Sequence, residues 1–254
     1  KLLLRKVNNM STEVSETKPN SKSIDFSKDA DLGFEGITSQ DLAIPYLVLL
    51  QKTSPQLENV EGAKAGMIYN TVSNDLYESL EVVPCAYKRV FVEWKPRETG
   101  GGYVGEHPIG SDQSQKARND RGEIILDNGN NLIETAYYFV LLKNNEQAVI
   151  SMSSTQLKKA RRWNSMMMGL KIEDSTGKFV TPPSFSHRYK LTSMQEKNDK
   201  GSWFGWNIEV EKPVTEQLQY ETARSFHEGV SKDQVKLAPP SKTESSESET
   251  TGDF

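Results

Sequence analysis

The chain has 254 residues, a formal net charge of −4 and a single cysteine, enough for one substantial globular domain with polar ends. Cys85 alone excludes an internal disulfide framework, and with only His107, His187 and His227 beside it there is no Cys/His zinc cluster. The usage fits a reducing, cytoplasmic setting, no apolar run approaches bilayer length, and nothing calls for a membrane, a metal or a cofactor. The net acidity argues against a nucleic-acid binder, but the acid is unevenly placed and the average misleads.

Lys1 to Asn9 is basic and leucine-containing, too short for a signal peptide, and Met10-Ser11-Thr12 resembles a natural start, so the first nine residues are expected to lie upstream of it or to have been added. From Ser11 to Phe34 there is too little apolar surface to offset the entropy of ordering, so residues 1–36 are expected to form a disordered arm. The foldable part is residues 37–230. It opens with an apolar element from Ser39 to Gln51, a Ser54-Pro55 turn and the glycine-punctuated segment Gly62 to Asn70. A strand is predicted over Leu80–Trp94, then a long loop Gly100–Asn131, then strands Thr135–Lys143 and Gln147–Ser153 turning at Asn144-Asn145.

A helix follows, with Ser153 as N-cap and Gln156 in the capping-box position. Leu157, Ala160, Trp163, Met167 and Leu170 share one side, while Lys158, Arg161 and Arg162 share the opposite arc with Lys159 at its edge. A second hairpin, Phe185–Leu191 and Trp203–Val210, turns at Asn198–Gly201, and a polar helix runs from Thr215 to about Gly229. Residues 231–254 are expected to be a disordered acidic tail. This order is mainly β with α elements, and it matches an OB-fold-like five-stranded Greek-key barrel with a helix between strands 3 and 4.

Along Leu80–Trp94 the alternation assigns Val82, Val90, Val92 and Trp94 to a core and leaves Tyr87, Arg89 and Phe91 on the other face, with Lys88 beside them. Aromatic, basic, aromatic on one face is what unpaired bases need, since every base has a π-face and the cation neutralises phosphate. Lys95, Arg97 and Tyr103 extend this composition into the glycine loop. In the last hairpin Trp203 is out of phase with the core set Phe204, Trp206, Ile208 and Val210, and Arg188 and Lys190 stand opposite Phe185, Tyr189 and Leu191. Trp163 and Trp206 read as core. Lys158, Lys159, Arg161 and Arg162 form the most specific cluster, because the helix contains no acid to pair with them. Glu93-Trp94-Lys95 fits the E-x-K tripeptide of metal-dependent nucleases, but no Pro-Asp pair precedes it. Gly100-Gly-Gly lacks the Lys-Ser or Lys-Thr of a phosphate loop, and three scattered histidines make no catalytic arrangement.

From Thr243 the chain carries no positive charge, only scattered acids, and closes on Asp253-Phe254. Such a peptide can occupy a basic groove, and a terminal aromatic beside a free carboxylate is a handle for a partner protein. Strand order, aromatic–basic face and tail together resemble the single-stranded-DNA-binding proteins of bacteriophages, particularly the podophage type. Ile44–Gln51 through Gly66–Asn70 is also similar to a phage-encoded protein group. The resemblance implies a non-enzymatic protein of the infected host's cytoplasm whose groove binds single-stranded DNA during replication and recombination. Its tail, here Glu244, Glu247, Glu249, Asp253 and Phe254, would compete for the groove and contact the phage DNA polymerase and primase-helicase. Fewer acids stand in this tail than in that family. The oligomeric state stays open, a homodimer included, and the alternatives are a metal-dependent nuclease and a phage structural or assembly protein.

Overall fold

The structure, a computed structural model, describes residues 26–238 apart from residues 31, 39, 40, 121, 200 and 236. Two compact units divide between Thr38 and Ser39. In the first, the described residues hold a 3-10 turn, Phe26–Asp29, followed by turns in which Ile37 N donates to Phe34 O.

The second unit is mainly β. Its elements are β1 (Leu47–Leu49), α1 (Gln56–Asn59), β2 (Ile68–Asn70), β3 (Leu76–Tyr77), β4 (Ser79–Lys95), β5 (Gly102–Pro108), β6 (Ile124–Ile125), β7 (Asn131–Leu142), β8 (Gln147–Ser153), α2 (Leu157–Gly169), β9 (Ile172–Glu173), β10 (Phe179–Val180), β11 (His187–Asn198), β12 (Gly201–Pro213) and α3 (Gln217–Ser231). β1, β2 and β3 form a small sheet, β9 and β10 a separate hairpin, and the rest one antiparallel sheet. Near the start of β4 the order is β12-β11-β4-β7-β8, and toward its end β5 and β6 flank the β4–β7 pair. The predicted loop over residues 100–131 therefore contains two strands. Their short runs and flanking Gly and Asp hide them from a pattern reading.

The sheet is buried on both faces. Val82, Tyr138, Val140, Ile150, Tyr189, Leu191, Trp206 and Ile208 make an inner cluster with Ala160 and Trp163 of α2. Val83, Cys85, Val92, Trp94, Tyr137 and Phe139 make an outer cluster under Ala223 and Phe226 of α3. Val235 and Leu237 pack on that cluster and Tyr46 Oη donates to the Ala238 carbonyl at 3.1 Å, so ordered packing continues past Val230, the predicted domain edge. Its apolar side chains supply the reason.

A bulge in β4 decides which side chains face which way. Pairing with β7 slips between Pro84 and Ala86, and the Cys85 carbonyl is taken instead by His227 Nδ1 at 2.9 Å and Ser184 Oγ at 3.4 Å. One extra residue reverses the alternation. Val82 is inner, whereas Val90, Val92 and Trp94 are outer, so the four do not share the one core face that unbroken alternation assigned to them.

The sheet is open, with no ladder between β8 and β12. Segment 44–51 lies across the gap. Val149 N donates to Pro45 O at 2.8 Å and Tyr46 bridges Val149 on one side. On the other, the Gln51 amide bonds both backbone groups of Phe204, accepting from its N–H at 2.8 Å and donating to its carbonyl at 2.9 Å. Gln156 Oε1 accepts from Trp206 N at 3.0 Å. Two side-chain amides thus satisfy edge groups that a neighbouring strand would otherwise pair. Gly66 admits the Phe204 ring here: with φ +93° and ring carbon 2.8 Å from where a Cβ would stand, no other residue fits.

Candidate nucleic-acid interface

Helix α2 is amphipathic as its sequence pattern predicts, though it starts differently. Ser153 makes no side-chain cap; residues Ser154–Gln156 form a 3-10 turn first, and the buried Gln156 side chain is engaged with β12 rather than with the Ser153 backbone. Ala160 and Trp163 are buried while Lys158, Arg161 and Arg162 are exposed. Among the described residues none of these three cations has an ion pair, and no acid stands between Leu157 and Gly169 to supply one.

Two aromatic positions flank that basic arc. On one edge of α2, Tyr138 Oη lies 2.8 Å from both the Ala160 carbonyl and Asn164 Oδ1. The Tyr138 ring stacks on Trp163, centroids 4.3 Å apart, and on its other side meets Tyr87 at 5.1 Å. With Trp163 against Tyr189 at 5.7 Å, the rings run from the core outward, and Tyr87, 42% exposed, is the end that meets solvent. Burial pushes the Tyr138 and Tyr189 hydroxyls up, the latter to about 12, so both stay neutral. On the opposite edge, Lys159 pairs with Glu196 at 2.5 Å, and Glu196 accepts from Trp203 Nε1 at 3.0 Å. A helix advances about 100° per residue, which orders its outward arc as Asn164, Arg161, Lys158, Arg162, Lys159. Tyr87 and Trp203 therefore stand on either side of the unpaired cations.

Not every residue expected to join this surface does so. Phe91 is only 6% exposed, roofed by Ile124 and Leu126 of the β6 segment with Leu132 beneath, and no base can reach its ring. Arg188 is buried and bonded to Gln219 Oε1 at 3.0 Å and to Glu216, where it pins α3 to β11. That bond holds the Glu216 carboxyl below its ordinary range. Lys190 lies in register between Glu81 and Glu209. Lys88 is 3.4 Å from Asp233. Lys95 and Arg97 are exposed at the far end of β4, and Tyr103 packs edge-on against Trp94 in the outer cluster, away from Tyr87. Arg89 is half-exposed and bonded through Nε to Glu134 at 2.9 Å; Arg118 reaches the same carboxylate at 3.6 Å. Glu134, Arg118 and Asn164 were not legible as site residues, because a pairing partner declares itself only through register and loop path. The tail residues Glu244, Glu247, Glu249, Asp253 and Phe254 lie outside the described residues.

Glu93, the acid of the E-x-K tripeptide, is buried. Its Oε1 accepts from Asn130 at 2.5 Å and Asn128 at 3.0 Å, and its Oε2 meets His107 Nε2 at 2.7 Å. The Asn130 bond first, then Asn128 and His107, hold the carboxyl below its ordinary range against the opposing effect of burial. The group ties β4 to β5 and to the loop before β7. Among the described residues no set of three or more His, Cys, Asp or Glu could hold a metal ion, and no helix is long and apolar enough to cross a membrane.

No curated protein and no solved structure matches the chain. The family of Pam3 phage gp34-like proteins matches residues 14–236, most of the chain, and the chain belongs to that family of phage proteins.

Proposed function

We propose that this phage protein binds single-stranded DNA without cutting it, coating the strand during replication and recombination and meeting replication proteins through its acidic C-terminal tail. One observation carries the reading: three cations of α2 with no ion pair among the described residues lie between Tyr87, the solvent end of an internal ring stack, and Trp203. Cations take the phosphates and rings take the bases, with little sequence preference. The strand order β12-β11-β4-β7-β8, open between its ends and with α2 between the third and fourth strands in sequence, supports an OB-type, partly open Greek-key barrel. Helix α3 covers the outer face of β4 and β7, which favours a ligand path along α2. A nuclease would need Glu93 for a cation, and that carboxylate is already engaged by Asn130, Asn128 and His107.

Labelled single-stranded and duplex DNA, titrated at several salt concentrations, test the proposal. Single strands should bind more tightly, Tyr87→Ala should weaken them about tenfold, and Arg161→Ala should flatten the log–log salt slope by about 0.7. A phage structural or assembly protein would show no salt-dependent affinity. Mg²⁺-dependent cleavage abolished by Glu93→Ala would replace the proposal with the nuclease.

A further inference from the structure

We propose that the β9–β10 hairpin carries a second stacking platform, Phe179, over which a single strand continues after passing along α2. This rests on the single-stranded-DNA reading and extends it to residues outside the pattern that suggested it. Phe179 is 69% exposed, Met168 71% and Ile172 43%, three large apolar side chains in solvent within one short stretch. Packing does not explain them, since the hairpin pairs with no strand of the main sheet.

An isolated two-stranded hairpin is marginal in water, but this one is fastened at both ends. Asp174 Oδ1 accepts from Thr176 N at 2.8 Å, Thr176 Oγ1 at 2.6 Å and Lys178 N at 3.1 Å, and Asp174 N donates to Lys178 O at 2.9 Å. At the other end Lys171 Nζ donates to Thr181 Oγ1 across the pair. Phe179 is thus presented on a fixed frame, so stacking a base on it orders little else.

The occupant follows from charge and continuity. Between residues 157 and 181 there are six basic and two acidic residues in a chain whose net charge is −4; four of the cations stand on α2, and on the hairpin Lys171 and Lys178 balance Glu173 and Asp174. Glu173 stands in register with Phe179, with Lys171 and Lys178 flanking. The cations of α2 favour a polyanion arriving at the hairpin, and a lone exposed ring suits a base. Met168 lies one helical turn beyond Asn164 on the edge of α2 that faces Tyr138 and Tyr87. Arg161 to Met168 spans roughly 10 Å of helix, so a strand crossing Tyr87 and Arg161 reaches the hairpin within a few nucleotides.

Fluorescence anisotropy with oligothymidylates of about 4 and about 16 nucleotides, spanning the site sizes of one such domain, tests this. Phe179→Ala should weaken the longer strand about tenfold and leave the shorter one unchanged, and Phe179→Trp should restore the wild-type value. Wild-type affinity of Phe179→Ala for the longer strand, with Tyr87→Ala weakening both, would overturn the second platform while the single-strand reading stands. Equal loss on the short strand would make Phe179 part of one compact site and overturn the extended path. Failure of the wild-type protein to bind either strand would overturn both.

Discussion

Glu93 and Glu134 are two carboxylates two register steps apart on the β4–β7 pair, and their surroundings give them opposite uses. Glu93 is buried among Asn130, Asn128 and His107. Its folded pKa lies below the unfolded value, so its contribution to stability is fully present above the ordinary carboxylate pKa, about 4.3, and is lost as pH falls through the folded value. Glu93→Gln should remove about 1–3 kcal/mol at neutral pH, because one amide donor is left facing another. Thermal melts followed from neutral pH down to about pH 3 should show a smaller acid-dependent loss in the variant than in wild type; parallel curves would show that Glu93 contributes nothing pH-linked. Glu134 instead sits largely buried beneath the half-exposed Arg89 and Arg118 and holds both guanidinium groups against an acid. A phosphate must displace it. Glu134→Gln should therefore tighten single-strand binding severalfold and steepen its salt dependence by about 0.7 per arginine released. Unchanged affinity and slope in the folded variant would place Arg89 and Arg118 outside the DNA path.

At the scale of elements, the long strands, both hairpins and α2 were legible because each carries a sustained pattern: β4 and β7 are long runs rich in Val, Leu and aromatics, and α2 separates Trp163 from Lys158, Arg161 and Arg162. What was not legible lies where the period breaks. Nothing in Pro84-Cys85-Ala86 announces that the register with β7 slips there, and that slip decides that Val82 and Val90 face different clusters. It leaves Tyr87, Arg89 and Phe91 together as predicted, but burial of Phe91 depends on Ile124 and Leu126, whose segment is too short to declare a strand. Trp203 was identifiable from its phase; its tie to α2 through Glu196 and Lys159 was not, since three separate elements supply it. The bridging of the sheet's open edges is equally invisible, resting on the β12 side on the side-chain amides of Gln51 and Gln156. Gln51→Leu would leave the Phe204 N–H and carbonyl without that partner, a loss of about 2 kcal/mol, or roughly 4–8 °C in Tm for a domain of this size. Gln51→Glu, which keeps an acceptor for the N–H but repels the carbonyl, should fall between. Calorimetry on the pair reads this directly, and a melting point equal to wild type for Gln51→Leu would mean that the gap is held shut by the apolar contacts of Leu47 and Leu49 alone.

Across the whole molecule, charge is segregated rather than balanced. The net value of −4 hides a basic stretch around α2 and a terminal stretch from Thr243 that is acidic without a single cation. The described chain reaches Ala238 held against the outer cluster by Val235, Leu237 and the Tyr46 hydroxyl, so the acidic residues are tethered to the domain by only a few further residues. A tethered competitor acts at high effective concentration, and its hold on exposed cations weakens as salt shortens the Debye length to about 8 Å near physiological strength. Deleting Thr243 to Phe254 should accordingly leave the melting temperature unchanged and tighten single-strand binding most at low salt, with the two proteins converging as salt rises. Phe254 makes a separable claim, because the tail's hold on the cations of α2 comes chiefly from its carboxylates. Phe254→Ala should keep wild-type DNA affinity at every salt concentration while losing capture of the phage's own polymerase or primase-helicase, where the ring would fill an apolar pocket and the carboxylate its basic rim. Truncation that changes neither DNA affinity nor that capture would reduce the tail to a solvating segment, and the cations of α2 would then have no competitor within their own chain.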